Sequence, residues 1–245
     1  MLKQVSVDGR TDEVAVELPL EIRLNGAPVA VTMRTPGHDF ELAAGFLYGE
    51  GIVSSAPDMQ LPEDLAANIV DAVAPDALAP ATRRFYTTSS CGICGKGALE
   101  EVEAIAPVVS GGVSMSRALL AELPERLRQP GFERTGGLHA TGLFSAGGEL
   151  LAVREDVGRH NAMDKVIGAA LLADSLPLAE RVLCVSGRLA FELVQKTARA
   201  GAPILVGVGA PTSLAVELAE DRGITLAGFA RGGRVNVYTH AERVR

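Results

Sequence analysis

Two thiols three positions apart, in Cys91-Gly-Ile-Cys94, are the pair in this sequence whose type and spacing most directly suit chemistry. Leu99, Val102 and Ile105 follow at helical spacing, so the reading places a helix from Lys96 to Ile105 and the cysteines at its N-terminus. There the helix dipole and free N–H groups favour thiolate over thiol. Gly92 and Gly95 leave the approach open, and Lys96 adds a positive charge. Such a thiolate can accept sulfur from a donor persulfide, and a neighbouring thiol can later release it by forming a disulfide.

Other uses of the pair compete with that one. Half of a zinc site would need two more ligands. His139, His160 and Cys184 are candidates, but none shows paired ligand spacing, so no metal is expected. A thioredoxin-like centre would need a buried strand before the pair, and Thr87-Thr-Ser-Ser90 is too polar for one. A purely structural role suits two glycine-flanked cysteines poorly. Cys184, within Val182-Leu-Cys-Val185, reads instead as a small core hydrophobe.

Composition narrows the setting. Of 245 residues 47% are hydrophobic and 22% charged, which supports a sizeable core, and the 27 glycines suit tight strand–helix turns. A formal charge of −7 argues against general nucleic-acid binding, which needs a basic surface. No stretch approaches the roughly 18 apolar residues of a membrane helix. The first residues lack the apolar run of a signal peptide. Three cysteines make no secreted disulfide framework, so a reducing cytoplasm is the expected compartment.

The elements that must position these residues begin with a hairpin over Glu21–Arg34, turning at Asn25-Gly26. A helix after Thr35-Pro36 carries Phe40, Ala43, Ala44 and Leu47. Residues 54–82 read as irregular with one strand near Asn68–Val73, and residues 84–90 as extended. Further helices are expected over about Ser116–Arg128 and Arg159–Ala173, and strands near Leu138–Ser145 and Leu150–Arg154. In the last third, strands at Val182–Val185, Ile204–Val208, Ile224–Phe229 and Val235–Thr239 alternate with helices ending near Ala200 and Asp221. That alternation implies βαβ units and a largely parallel sheet. An N-terminal β-rich lobe (residues 1–82) and an α/β body (residues 83–245) are expected to form one compact unit.

Anion-binding positions fall where strands give way to helices. Ser186-Gly187-Arg188 and the run from Gly207 to Ser213 are so placed, although tight turns use glycine regardless. Arg231 and Arg234 flank Gly232-Gly233 and could grip phosphate. Asp156 reads as a helix cap, with Arg159, His160 and Lys165 on a solvated helix start or facing a ligand. His139 fits core or site, His38 a solvated helix start, and His240 a chain end near the ligand.

Taken in order, several segments resemble one family: Cys91–Gly95, Gly137-Leu-His-Ala-Thr-Gly142, Asp156-Val-Gly-Arg-His-Asn-Ala162 with Asp164-Lys165, Ser186–Arg188, Phe229–Arg234 and Val237-Tyr-Thr-His240. Their arrangement resembles the formate dehydrogenase accessory sulfurtransferases, the FdhD family. That resemblance implies a carrier taking sulfur from a cysteine desulfurase to the bis(molybdopterin guanine dinucleotide) molybdenum cofactor, held as substrate, on behalf of the formate dehydrogenase catalytic subunit. It implies a persulfide on Cys91 with Cys94 as partner. The cofactor contacts it implies are Phe229, Ala230, Arg231, Gly232, Gly233 and Arg234. It also implies a homodimer and an α/β, cytidine-deaminase-like mixed sheet flanked by helices.

Such a fold raises a zinc-dependent hydrolase as a rival. Zinc deaminases need His-x-Glu followed by Pro-Cys-x-x-Cys. Here His139-Ala-Thr141 has no glutamate, and the cysteines come earlier and follow Ser90. A cofactor-binding chaperone that moves no sulfur is the remaining alternative, separable by its tolerance of cysteine substitution.

Overall fold

Asp8 and Gly9 both take positive φ (51° and 76°) and turn the chain between β1 (Leu2–Val7) and β2 (Arg10–Ala15). Asp-Gly is a strong hairpin signal of the kind seen later at Asn25-Gly26, and the sequence reading passed over it. This computed structural model describes residues 2–62, 68–75, 77, 85–87 and 106–245, with backbone alone for 85–87. Cys91, Cys94 and the helix expected over 96–105 lie outside the described residues. Two units emerge, one of residues 1–94, 129–139 and 155–174, the other of residues 95–128, 140–154 and 175–245. Residues 83–94, 129–139 and 155–174 of the expected 83–245 body thus fall in the first unit.

In the first unit, β3 (Leu18–Leu24) and β4 (Ala27–Arg34) form the expected hairpin. With β5 (Asp58–Gln60), β6 (Ile69–Val73) and β7 (Phe85–Thr87) they make a five-stranded sheet of order β5-β6-β3-β4-β7. β6 runs parallel to β3, and β7 parallel to β4. Leu20, Ile22 and Leu24 alternate toward one face, where Leu42, Ala43, Phe46 and Leu47 of α1 (Asp39–Gly49) join the same core.

What draws residues 155–174 into this unit is a helix crossing. α4 (Arg159–Leu172) meets α1 at Gly168 and Gly45. A Cβ on Gly45 would overlap the Asp164 carbonyl, and one on Gly168 the Glu41 carbonyl, so the two backbones touch.

A buried polar network rests on that crossing. Lys165 Nζ lies 2.7 Å from Asp156 Oδ2 and donates to the Thr35 carbonyl at 2.9 Å. Asp156 also accepts from Thr35 N–H at 3.0 Å, Gly158 N–H at 2.8 Å and Asn161 Nδ2 at 3.0 Å. Asp156 is therefore no helix cap. Gly158 occupies the cap position, while Asp156 is an anchor whose oxygens face donors from Thr35 and from the stretch Gly158–Lys165. Lys165 is as buried as its partner, which removes it from the set that could face a ligand. Arg34, also buried, grips Asp39 with two bonds of 2.9 Å and donates to Asn68 Oδ1 at 3.1 Å. Charges this deep persist only when paired and hydrogen-bonded.

Strands β8 (His139–Ser145), β9 (Leu150–Asp156), β10 (Arg181–Val185), β11 (Ile204–Gly207), β12 (Thr225–Arg231) and β13 (Arg234–Val237) make a six-stranded sheet, in the order β13-β12-β11-β10-β8-β9. Apart from His139, Glu155 and Asp156, it belongs to the second unit. The sheet is mixed, in keeping with the mixed sheet that the resemblance implies. β10, β11 and β12 run parallel through α5 (Phe191–Ala200) and α6 (Ser213–Asp221). β13 is antiparallel because the two-residue turn Gly232-Gly233 allows nothing else, and β8 pairs antiparallel with β10. The single helix expected over 116–128 is α2 (Arg117–Glu122) followed by a 3-10 turn over Leu123–Arg126. Pro124 brings no N–H and crowds the preceding turn, which stops the α-helix there.

Near the chain's last residues, His240 Nδ1 lies 3.0 Å from Glu242 Oε1, and Nε2 lies 2.9 Å from the Glu220 carbonyl at the end of α6. A carbonyl and a carboxylate only accept, so the imidazolium satisfies both. The Glu220 carbonyl above all, and then Glu242, raise the His240 pKa. A raised histidine pKa stabilises fully below the unfolded value of about 6.5, and the gain is lost as pH rises through the folded value. The melting gap between the wild type and His240→Gln is therefore expected to narrow from pH 6 to pH 8.5. A gap that widens would refute the assignment.

Candidate anion site at the strand ends

The carboxyl ends of β10, β11 and β12 lie side by side, and the loops leaving them are joined by main-chain bonds. Gly209 N–H donates to the Gly187 carbonyl at 3.0 Å, Leu189 N–H to Ala210 at 3.0 Å, and Thr212 N–H to Leu189 at 3.1 Å. Gly209 and Gly228 are tightly confined here. A Cβ on Gly209 would sit 2.8 Å from Arg188 Cα, and one on Gly228 3.0 Å from the Gly209 carbonyl.

Of the expected contacts in the first loop, Arg188 is exposed and Gly187 half-buried. The Ser186 hydroxyl oxygen accepts Ala140 N–H at 2.9 Å and Ser186 N–H donates to the Ala140 carbonyl, so this residue extends the β8–β10 ladder. α5 starts next to this loop without a side-chain cap, whereas Thr212 caps α6 through Ala215 N–H at 3.3 Å.

The Phe229–Arg234 segment is the hairpin between β12 and β13. Gly228 pairs with Asn236 and Arg231 with Arg234, so Phe229 and Ala230 stand opposite Val235 alone and make a bulge. Phe229 takes φ 53°, its N–H bonds to the Gly209 carbonyl at 3.1 Å, and its side chain is half exposed. Left-handed backbone is costly for a bulky aromatic residue, by about 1–2 kcal/mol, and such outliers gather at functional sites. Ala230 points into the core instead, which leaves Phe229, Arg231, Gly232, Gly233 and Arg234 accessible. Arg231 and Arg234 face each other across the turn. Like charges directly opposed repel, and an anion between them relieves the repulsion. Gly232 N–H is held by Glu125 Oε1 at 3.2 Å.

Phe229→Gly tests this account. Relief of the left-handed strain and the extra chain entropy nearly offset, so stability should hold or rise by up to about 1 kcal/mol in denaturant titration. A large loss would mean that the ring packs as core.

The remaining sequence candidates scatter. Cys184 is wholly buried in the second unit's core, where burial pushes its thiol pKa up, so it stays an inert thiol as read. His38 is half exposed and pairs with Glu41 at 3.1 Å at the start of α1, as expected. His139 opens β8 and His160 lies in the first turn of α4. Among the described residues no cluster of three or more His, Cys, Asp or Glu is placed to hold a metal ion. Nor is any described helix long and apolar enough to cross a membrane. Missed by the sequence reading were Glu125, which no local signal marks, and the αL conformation of Phe229, which a glycine would have flagged.

The model of the FdhD/NarQ family matches residues 15–245. The chain belongs to that family. It is 50% identical to the sulfur carrier protein FdhD of Streptomyces coelicolor, over 99% of this chain and 93% of the relative. The protein of that name from Mycobacterium tuberculosis is 51% identical over 96% of this chain and 92% of the relative. For the one from Sulfolobus acidocaldarius the values are 47%, 95% and 91%. Among solved structures, one described as a formate dehydrogenase accessory protein from Desulfotalea psychrophila superposes with TM-score 0.75 at 28% identity, over all of this chain and 98% of the other. The mixed α/β architecture with an N-terminal β-rich part is thus the family's.

Proposed function

We propose that this chain is a cytoplasmic sulfur carrier that takes sulfur from a cysteine desulfurase onto Cys91 and passes it to the bis(molybdopterin guanine dinucleotide) molybdenum cofactor destined for formate dehydrogenase. The observation that carries the reading is about 50% identity, over nearly the whole chain, to proteins named sulfur carrier protein FdhD. The cysteine pair of the sequence supplies the chemistry and the strand-end site the grip.

Cys91 thiolate attacks the outer sulfur of the desulfurase persulfide. A new S–S bond forms, the donor cysteine leaves as thiolate, and Cys91 holds the extra sulfur. Attack by the Cys94 thiolate on Cys91 Sγ then expels hydrosulfide and leaves a Cys91–Cys94 disulfide. A thiol reductant returns that disulfide to two thiols. At the other end of the substrate, Arg231 and Arg234 neutralise phosphate charge. Gly209 and Gly228 let the strand-end loops pack closely against one another, which fixes the backbone that carries the site.

Sulfur transfer is tested by weighing the intact chain after incubation with a cysteine desulfurase and cysteine. The expected result is a gain of one sulfur atom, removed by reductant; no gain overturns the reading. The grip is tested separately with GDP, which resembles half of the nucleotide portion. A ligand at a hundredfold excess over its Kd stabilises the native state by about 2.7 kcal/mol. GDP should raise the melting midpoint, and Arg231→Ala with Arg234→Ala should remove the shift without lowering the midpoint of the free protein. No shift at millimolar GDP would place the nucleotide elsewhere.

A further inference from the structure

Tyr238 has no part in the site as described so far, yet it stands beside its centre. It follows β13, its N–H bonds to the Leu226 carbonyl at 2.8 Å, and its side chain is 37% exposed. Its ring lies over Gly228: a Cβ there would be 3.2 Å from Tyr238 Cε2 and 3.1 Å from Pro211 Cδ. The next residue is an anchor. The buried Thr239 hydroxyl donates to the Ile224 carbonyl at 2.6 Å and accepts Leu226 N–H at 2.9 Å. Tyr238 is thus a fixed, partly exposed aromatic beside the glycine that precedes Phe229. Phe229, half exposed, is held out by a strained backbone.

We propose that Tyr238 and Phe229 form one aromatic wall, on which the flat purine ring of the nucleotide stacks while Arg231 and Arg234 hold its phosphates. This rests on the nucleotide reading of the site and adds Tyr238 to it as a ligand-contacting residue. Three observations support it. Two exposed aromatic side chains flank a single glycine on the strand-end edge. The glycine is needed there for the tyrosine ring to lie down. The neighbouring charges are cationic, so the pair serves the uncharged part of a ligand whose charged part binds next to it.

Calorimetry with GDP and with inorganic pyrophosphate, on the full chain and two variants, decides the matter. Tyr238→Phe keeps the ring and should bind GDP within about twofold of wild type. Tyr238→Leu keeps an apolar cover over Gly228 but has no π face, and should bind GDP about tenfold more weakly, in the range of one lost base stack. Neither change should alter pyrophosphate binding, which a merely structural tyrosine would disturb. The chain has three tyrosines and no tryptophan, so its emission reports directly. GDP should quench wild-type tyrosine fluorescence, and Tyr238→Phe should lose that quench while keeping affinity. Unchanged GDP affinity in Tyr238→Leu, or equal losses for GDP and pyrophosphate, overturns the wall and leaves the nucleotide reading standing. A wild type that binds neither GDP nor pyrophosphate overturns both.

Discussion

Cys91→Ala is expected to abolish sulfur loading altogether: after incubation with desulfurase and cysteine its intact mass stays that of the unmodified chain. A sulfur carrier must offer a thiolate to an incoming persulfide, and this substitution removes the sulfur proposed to form the new bond. The protein has two further cysteines that could mask the effect, and they separate cleanly. Cys184 is wholly buried with its thiol pKa raised, so Cys184→Ala should load as wild type does. Its side chain sheds one small group from the core, a modest loss of stability. Cys94→Ala should still load, since the acceptor remains, but should release sulfur more slowly because no neighbouring thiol can attack the persulfide. Cells carrying Cys91→Ala should lack formate dehydrogenase activity. Were that variant to stay unloaded and yet support activity, the chain would be a cofactor chaperone.

The second large effect is structural. Gly168→Ala places a methyl group where the Glu41 carbonyl already is, and Gly45→Ala does the same at the Asp164 carbonyl. A flexible side chain could swing aside, but two helix backbones in contact can only move apart. Separation would also strain the Lys165–Asp156 pair, which hangs on α4. Each substitution should cost about 3 kcal/mol or more, a fall in melting midpoint of roughly 10 °C for a chain of this size. Gly112→Ala is the control. It has ordinary backbone and nothing within 4 Å, so its midpoint should hold or rise slightly. Melting midpoints of Gly168→Ala and Gly45→Ala that match that of Gly112→Ala would show that the crossing is not close-packed.

How much of this was legible in the sequence depended on where the decisive interaction lay. Asn25-Gly26 between alternating strands fixes its hairpin locally, and the structure follows it. The strands and helices from residue 181 onward likewise match, because each short apolar run is bounded by its own turn residues. The direction of β13 is not legible in its own residues, because direction depends on connection length, and Gly232-Gly233 reads equally as a phosphate loop or a hairpin turn. Asp156 reads as a cap because its neighbours in sequence suggest one. Its partners, Thr35 and Lys165, are fixed by a helix crossing that only the glycine pair betrays. At the candidate site Arg231 and Arg234 were legible as glycine-flanked cations. Their opposition across the turn, the strain at Phe229 and the ring of Tyr238 over Gly228 come from register and packing, which no single segment encodes.

The loops at the strand ends carry one more consequence. Gly209, Leu189 and Thr212 close them through main-chain donors to the carbonyls of Gly187, Ala210 and Leu189, so their shape does not depend on a ligand to hold it. Association there requires no ordering of chain, and its rate should rise linearly with ligand concentration without the plateau that a slow opening step imposes.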